Sequence, residues 1–536
     1  MDTKQNFVGL GLIGGFLRSA EQFCGRPALV VNHETFTYDV LRTHVSRLAE
    51  VIRATEPVAY PLASVFAYRS LTAYAGVLGI LAAGKGYVPL NPKFPVDRSR
   101  KMLVLSGCRV LIVGKEAFGQ LPQLLEGVEA KLTVILPDVE DASGVAATYP
   151  QHRFVTAAEL AAHSSANNSA PQVTPAATAY LLFTSGSTGQ PKGVPISHSN
   201  VCAYVRYTCD RYEVSENDRF SQEFDQTFDL SVHDMFVCWE RGACLYAVPE
   251  RSVMAPVKFI RDNALTMWFS VPSVVGAVTR LRLLQPGNLP SLRYSLFCGE
   301  PLPAAYAQSW QESAANSIVE NLYGPTEATI AISNYRWDPV RSTQESLNGI
   351  VPIGKVFAGQ TVGVFDENRR AVGIGEPGEL CLSGSQVTTG YWNNPEKTRE
   401  QFVHMPDDDE TLWYRTGDLV KRDEHGSLLY LGRIDHQVKI RGHRVELQEI
   451  EEAVRKACGS NQVVSVPWPM RNGSGDGVVA FISGVESIDH TRIVDYCSGQ
   501  LPEYMVPKKI YLLQEMPLNV NGKIDRQKLV QILEGV

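Results

Sequence analysis

The sequence predicts an α/β protein of at least two domains, built on a parallel-rich sheet layered with helices and carrying a smaller β-rich part. Three observations support this. The chain has 536 residues, more than one hydrophobic core organises. From Phe16 to Pro150, helical periodicity alternates with short apolar runs, the pattern of parallel strands joined by helices. Glu376 to Gly384 and Thr389 to Trp392 read as hairpins separated by turn residues.

Taken in order, Val8-Gly-Leu-Gly-Leu-Ile-Gly14 contains GxGxxG, but a dinucleotide fingerprint needs a preceding strand and only a short polar segment is there. Leu41 to Ala54 predicts a helix, Ala63 to Ala67 a strand, Ala73 to Ala83 a helix, and Tyr87 to Leu90 and Val110 to Val113 two more strands. Asp138 to Pro171, richer in Ser, Ala and Asn, reads as a surface excursion. Thr178 to Phe183 predicts a buried strand leading into Thr184-Ser-Gly-Ser-Thr-Gly-Gln-Pro-Lys-Gly193. A helix follows, with Ser199 or Asn200 as its N-cap.

That loop is the strongest chemical signal. Small residues let backbone N–H groups close around an anion, hydroxyls add donors, and Lys192 brings a mobile positive charge. Pro191-Lys192-Gly193 is not the Gly-Lys-Ser/Thr of a Walker loop. In Phe224-Asp-Gln-Thr-Phe-Asp-Leu-Ser-Val-His-Asp-Met-Phe236, Asp229 lies on an apolar approach to a helix at Val232–Val237. A carboxylate there either meets a cation, such as a substrate ammonium, or caps the helix, as Ser231 also can. Glu320 to Ile330 predicts a strand and a Gly-Pro turn presenting Tyr323, Thr326 and Glu327, suited to stacking on a base and holding Mg²⁺ beside phosphates. Asp418 follows a glycine turn, where a carboxylate can accept hydrogen bonds from a ribose diol. Gly432 to Glu446 reads as a basic strand opened by Arg433 and Asp435, and Leu447 to Ala457 as an amphipathic helix. Strands are expected near Val478–Ile482 and Lys509–Leu513, and Lys523 sits after Asn-Gly at the tip of a turn.

Composition narrows the class. A net charge of −7 without a basic block argues against nucleic-acid binding. Ten singly placed cysteines without CxxC pairs argue against a zinc site or disulfide framework, and for a cytoplasmic setting. No signal peptide or membrane span is expected.

In sequence order, the phosphate loop, FDLS, YGPTE, TGD, GRIDHQVKIRGHRVE and NGK together resemble the adenylate-forming superfamily of acyl-CoA synthetases, luciferases and peptide-synthetase adenylation domains. RIDHQVKIRGHRVEL and NVNGKID are similar to its amino-acid-activating branch. FDLSVHD, LFCGEPLP and YGPTEATIA resemble D-alanine–carrier protein ligases. The resemblance implies an AMP-forming ligase using ATP and Mg²⁺. It would make an acyl-adenylate and pass the acyl group to a phosphopantetheine thiol.

By that resemblance, Thr184, Ser185, Gly186, Ser187, Thr188, Gly189 and Lys192 hold the phosphates, and Tyr323 and Gly324 flank the adenine with Thr326. Glu327 and Thr184 serve the metal, while Asp418 binds the ribose and Arg433 the ribose or phosphate. Lys523 bridges the substrate carboxylate and the α-phosphate. The resemblance divides the chain into a core, 1–434, and a mobile lid, 435–536, hinged at Asp435. It assigns Asp229 to the substrate ammonium and lines the pocket with Leu230, His233, Phe269, Leu296, Cys298, Gly299, Leu322, Ile330 and Ala331. That apolar lining favours a small neutral amino acid. Its aromatic-plus-leucine part is similar to free-standing proline-activating enzymes and Cys298 resembles the D-alanine ligases, which puts proline first and alanine next, with an acyl- or aryl-CoA ligase as the alternative. No carrier site or condensation motif is present, so a separate carrier protein is the expected partner, with a chain cut from a larger assembly line as the alternative.

Overall fold

The computed structural model describes residues 9–55, 60–163, 171–186, 191–435, 437–471, 473–518 and 524–534. Two large sheets dominate. A seven-stranded sheet runs in the order Arg153–Val155, Thr133–Ile135, Val110–Val113, Leu62–Phe66, Gly86–Leu90, Thr178–Thr184, Lys192–Ser197. All its pairs are parallel except the last, where the chain doubles back. A nine-stranded sheet has a parallel centre, including Arg219–Gln222, Met267–Ser270, Tyr294–Phe297 and Ile318–Tyr323, and antiparallel ends. The helix Leu71–Ala82 is buried at every residue from Thr72 onward, and Leu230–Glu240 from Leu230 to Trp239. Helices apolar on all sides need protein around them, and one hydrophobic core spans both sheets and these helices.

The β-rich part is a five-stranded antiparallel sheet centred on Asp408–Arg422, with Pro377–Gly384 and Leu428–Arg433 beside it. After Asp435 comes a separate core. The strands Gln462–Pro467, Val478–Ser483 and Lys509–Leu512 form one sheet, packed with the helices Leu447–Cys458 and His490–Gln500 around Ile450, Val454, Val478 and Ile493.

Four local expectations are corrected. The helix after the phosphate loop is capped by Ser197, with Asn200 closing a reciprocal capping box, because the strand ends at Ser197. Residues 138–171 are not merely an excursion: among the described residues, the helices Ser143–Thr148 and Ala157–Ala162 flank the strand Arg153–Val155 on the sheet edge. Elements this short leave almost no periodic signal. Thr389 to Trp392 is a turn rather than a hairpin. The basic stretch is not one strand but the end of Leu428–Arg433 followed by a hairpin, Gln437–Ile440 with His443–Glu446. Its two-residue turn places Arg441 at φ 48° and Gly442 at φ 83°, as a right-twisted hairpin requires.

Candidate active site

The carboxyl ends of the parallel strands converge with this hairpin on a cleft. Asp229, Leu230, Cys298, Gly299, Leu322, Tyr323, Gly324, Thr326, Asp418 and Arg433, all expected from sequence, line it together. Ligands commonly bind outside such strand ends, because the loops there are free to vary.

Asp229 is buried at the helix N-terminus, yet its side chain makes no capping hydrogen bond. Burial pushes its pKa up to about 6, opposed by the Thr326 side chain and the charge of Lys439. Cys298 stays a thiol, since burial raises its pKa to about 12. The other predicted pocket residues form a second layer. His233 is hydrogen-bonded through Nδ1 to the Tyr204 hydroxyl at 2.8 Å, and burial holds it neutral, with a pKa lowered to about 3. Its ring centroid lies 4.7 Å from that of Phe269, which also packs edge-on to Phe224. Phe269 pairs with Leu296 on the neighbouring strand, and Ile330 and Ala331 are fully buried. These five residues are absent from the cleft lining and pack around it.

The Asp418 carboxylate accepts from the Tyr323 hydroxyl at 2.5 Å and from Arg433 Nη1 at 2.6 Å. Arg433 also forks onto Asp435, at 2.7 and 2.6 Å. Burial would raise the Asp435 pKa, but hydrogen bonding to Arg433 holds it below the ordinary value.

Thr184 and Lys192 face each other across the two strands that bracket the phosphate loop. Ser187, Thr188 and Gly189 lie outside the described residues, as does Lys523. Ser185 and Gly186 are buried at the start of the loop. The Lys192 ammonium sits 3.3 Å from Glu327 Oε1 and 4.1 Å from the centroid of the Tyr391 ring. Burial lowers its pKa to about 8, against the attraction of Glu327. Glu327 is fully buried and accepts from the Tyr391 hydroxyl at 2.8 Å. Burial alone would protonate it, but the charges of Arg444 and Lys192 hold its pKa well below the carboxylate range.

Sequence reasoning missed Lys439, Arg444, Tyr430 and Glu300, which line the cleft, and Tyr391 beneath it. Val438 and Ile440 pack with the C-terminal core, so the alternation that turns Lys439 to the opposite face was legible. What that face meets was not.

The donor set fits magnesium-bound nucleotide. An ionised carboxylate at Glu327 and the Thr184 hydroxyl are the hard oxygen donors that Mg²⁺ takes, and Asp418 offers a carboxylate to a diol. Residues 16–392 match the family model for AMP-binding enzymes. The chain belongs to the AMP-binding enzyme family. It is therefore an AMP-forming ligase that uses ATP with Mg²⁺.

This AMP-binding enzyme is 32% identical to tyrocidine synthase 3 of Brevibacillus parabrevis over 94% of the chain, which spans 7% of that protein. It is 31% identical to tyrocidine synthase 1 of the same organism over 96% of the chain, spanning 44% of it. It thus covers less than half the length of these relatives. Among solved structures, the Vibrio cholerae adenylation domain AlmE in complex with glycyl-adenosine-5'-phosphate is similar over 100% of both chains, with 33% identity and a TM-score of 0.87. IdnL7 is 34% identical, covers 98% of this chain and 99% of its own, and has a TM-score of 0.72. No helix among the described residues is long and apolar enough to cross a membrane.

Proposed function

We propose that the enzyme activates a small neutral amino acid as its aminoacyl-adenylate and passes it to the phosphopantetheine thiol of a carrier protein. The observation that supports this most is Asp229. A buried carboxylate beside Leu230, Cys298 and Leu322 has a use when the substrate carries an ammonium, and none for a fatty or aryl acid. The relatives support it too: two are named tyrocidine synthases, and AlmE was solved with glycyl-adenosine-5'-phosphate. The sequence-based preference put proline before alanine. The apolar side chains beside Asp229, those of Leu230, Cys298 and Leu322, suit either.

In this reading Asp229 holds the ammonium, and the substrate carboxylate attacks the α-phosphorus, releasing pyrophosphate. Lys192 neutralises phosphate charge, and Asp418, steadied by Tyr323 and Arg433, holds the ribose. Magnesium, when bound at Glu327 and Thr184, offsets further phosphate charge. Lys523 bridges the two reacting groups. The segment from Asp435 onward, with its own core, is a lid that turns about Asp435 between the half-reactions.

Exchange of pyrophosphate into ATP tests the reading. Glycine, alanine and proline should each be assayed in both enantiomers where they exist, beside fatty and aryl acids. Exchange with one small amino acid, lost in Lys523→Ala, is expected. Exchange only with acids lacking an amino group would make the enzyme an acyl ligase.

A pH dependence follows from Asp229. Its carboxyl is neutral below about pH 6 in the free enzyme, and only the ionised form pairs with an ammonium. Amino-acid affinity is therefore expected to rise about tenfold per pH unit up to about 6 and then to level. Titration of KM for the amino acid between pH 5 and 8 checks this, and a flat profile would remove the ion pair from the reading.

A further inference from the structure

The segment from Gln386 to Trp392, between the strand Pro377–Gly384 and the helix Pro395–Gln401, ties the end of the phosphate loop to the turn that carries Glu327. On one side, the Trp392 N–H donates to the Gly193 carbonyl at 2.9 Å and the Thr388 hydroxyl to the Pro195 carbonyl at 2.5 Å. On the other, the Thr388 N–H donates to the Glu327 carbonyl at 2.9 Å and the Gln386 side-chain amide to the Ala331 carbonyl at 2.8 Å. Tyr391, buried within this segment, reaches both sides. Its hydroxyl donates to Glu327 Oε1 at 2.8 Å, and the Lys192 ammonium lies 4.1 Å from its ring centroid. The ring is itself held in place. Phe402 packs edge-on at 5.5 Å, and the Tyr391 N–H donates to the Thr398 hydroxyl at 2.9 Å. One anchored side chain thus touches both the carboxylate and the ammonium of the site.

Resting on the assignment of Glu327 to magnesium and of Lys192 to phosphates, we propose that Tyr391 is a positioning residue that aims these two groups and keeps them from neutralising each other. A carboxylate oxygen has two lone pairs, and Oε1 accepts from both the Tyr391 hydroxyl and Lys192. Oε2 carries one hydrogen bond, from Arg444 at 3.0 Å, and retains a lone pair for a hard cation. Lys192 stands 3.3 Å from Oε1, farther than the about 2.7–2.9 Å of a fully closed charge-assisted hydrogen bond. The face of the Tyr391 ring attracts the same ammonium and competes with the carboxylate for it. Glu327 therefore keeps charge for a metal, and Lys192 keeps N–H groups for phosphate. Hydrogen bonds behind a metal-ligating carboxylate fix its orientation, and losing one costs about tenfold or more in metal affinity.

The test titrates the parent enzyme, Tyr391→Phe and Tyr391→Leu with α,β-methylene-ATP by calorimetry, in Mg²⁺ and in EDTA. The analogue cannot be cleaved at the α-phosphorus. Tyr391→Phe keeps the ring beside Lys192 and loses only the hydroxyl on Glu327. It is expected to match the parent in EDTA and to bind about tenfold more weakly in Mg²⁺. Tyr391→Leu loses the ring as well, and is expected to bind about tenfold more weakly already in EDTA. In pyrophosphate exchange, Tyr391→Phe should raise the magnesium concentration for half-maximal rate about tenfold, with KM for the amino acid unchanged. A folded Tyr391→Phe that equals the parent in Mg²⁺ would overturn the proposal. So would an equal loss with and without Mg²⁺, the mark of a merely structural role. Should Tyr391→Leu not fold, or binding in EDTA be too weak to titrate, the affinity of Tyr391→Phe for the magnesium analogue decides alone. If the parent does not bind the magnesium analogue at all, the nucleotide-site assignment falls with the proposal. If it binds and Tyr391→Phe matches it, only the proposal falls.

Discussion

Asp229→Ala is expected to lower amino-acid-dependent pyrophosphate exchange by about 100-fold or more, equivalent to ~3 kcal/mol for a buried charge-assisted contact with the substrate ammonium. The loss should appear in kcat/KM for the amino acid, while KM for ATP changes little, because Asp229 is far less involved with the nucleotide groups at Asp418 and Lys192. The variant is expected to melt no lower than the parent. A buried carboxylate whose pKa has been pushed to about 6 is strained in the empty enzyme, and its removal relieves that cost. Lost exchange with an unchanged or higher melting temperature separates a binding role from a structural one. Full exchange in the folded variant would remove Asp229 from substrate recognition.

Glu327→Gln should be damaging in two ways at once. It keeps the size of the side chain but removes the charge between Lys192 and Arg444, leaving two buried cations without their shared partner. Breaking a buried ion pair in this way costs about 3–5 kcal/mol, and the first half-reaction should fall by about 100-fold or more as a hard metal donor is lost. The stability effect has a definite pH sign. The folded pKa of Glu327 is held below its unfolded value, so its contribution is fully present above the unfolded pKa of about 4.3. It is lost as pH falls through the folded pKa. The melting-temperature gap between parent and variant is therefore expected to be widest near neutrality and to narrow below about pH 4. A gap that stays unchanged from pH 4 down to pH 2 would show that Glu327 does not owe its charge to these two cations.

Legibility was uneven for physical reasons. The strands Val110–Val113 and Thr178–Thr184 and the helix Leu71–Ala82 were recognisable because burial on all sides demands continuous apolar runs of the right length. Arg153–Val155 was not, since three residues carry no period. The hairpin at 437–446 was read as one strand because Arg441-Gly442 is a turn signal only when both residues take positive φ, and arginine does so rarely. Among pocket residues, those flanking the turn at Tyr323–Thr326 line the cleft, whereas His233 and Phe269 stand behind it. Sequence position places a residue near a site, but the depth of its side chain depends on what packs against it.

The sequence by itself determined the α/β class, the family, the phosphate loop and the acids at 229, 327 and 418. These follow from local patterns: apolar periods, small residues around a lysine, and carboxylates where burial would otherwise forbid them. Only the tertiary structure decided which cations those acids meet. Glu327 lies 117 positions from Arg444 and 135 from Lys192, and Ser185 lies 261 from Glu446. Contacts across such separations are set by how sheets and helices pack, and the energy of a buried charge depends on the partner that packing delivers.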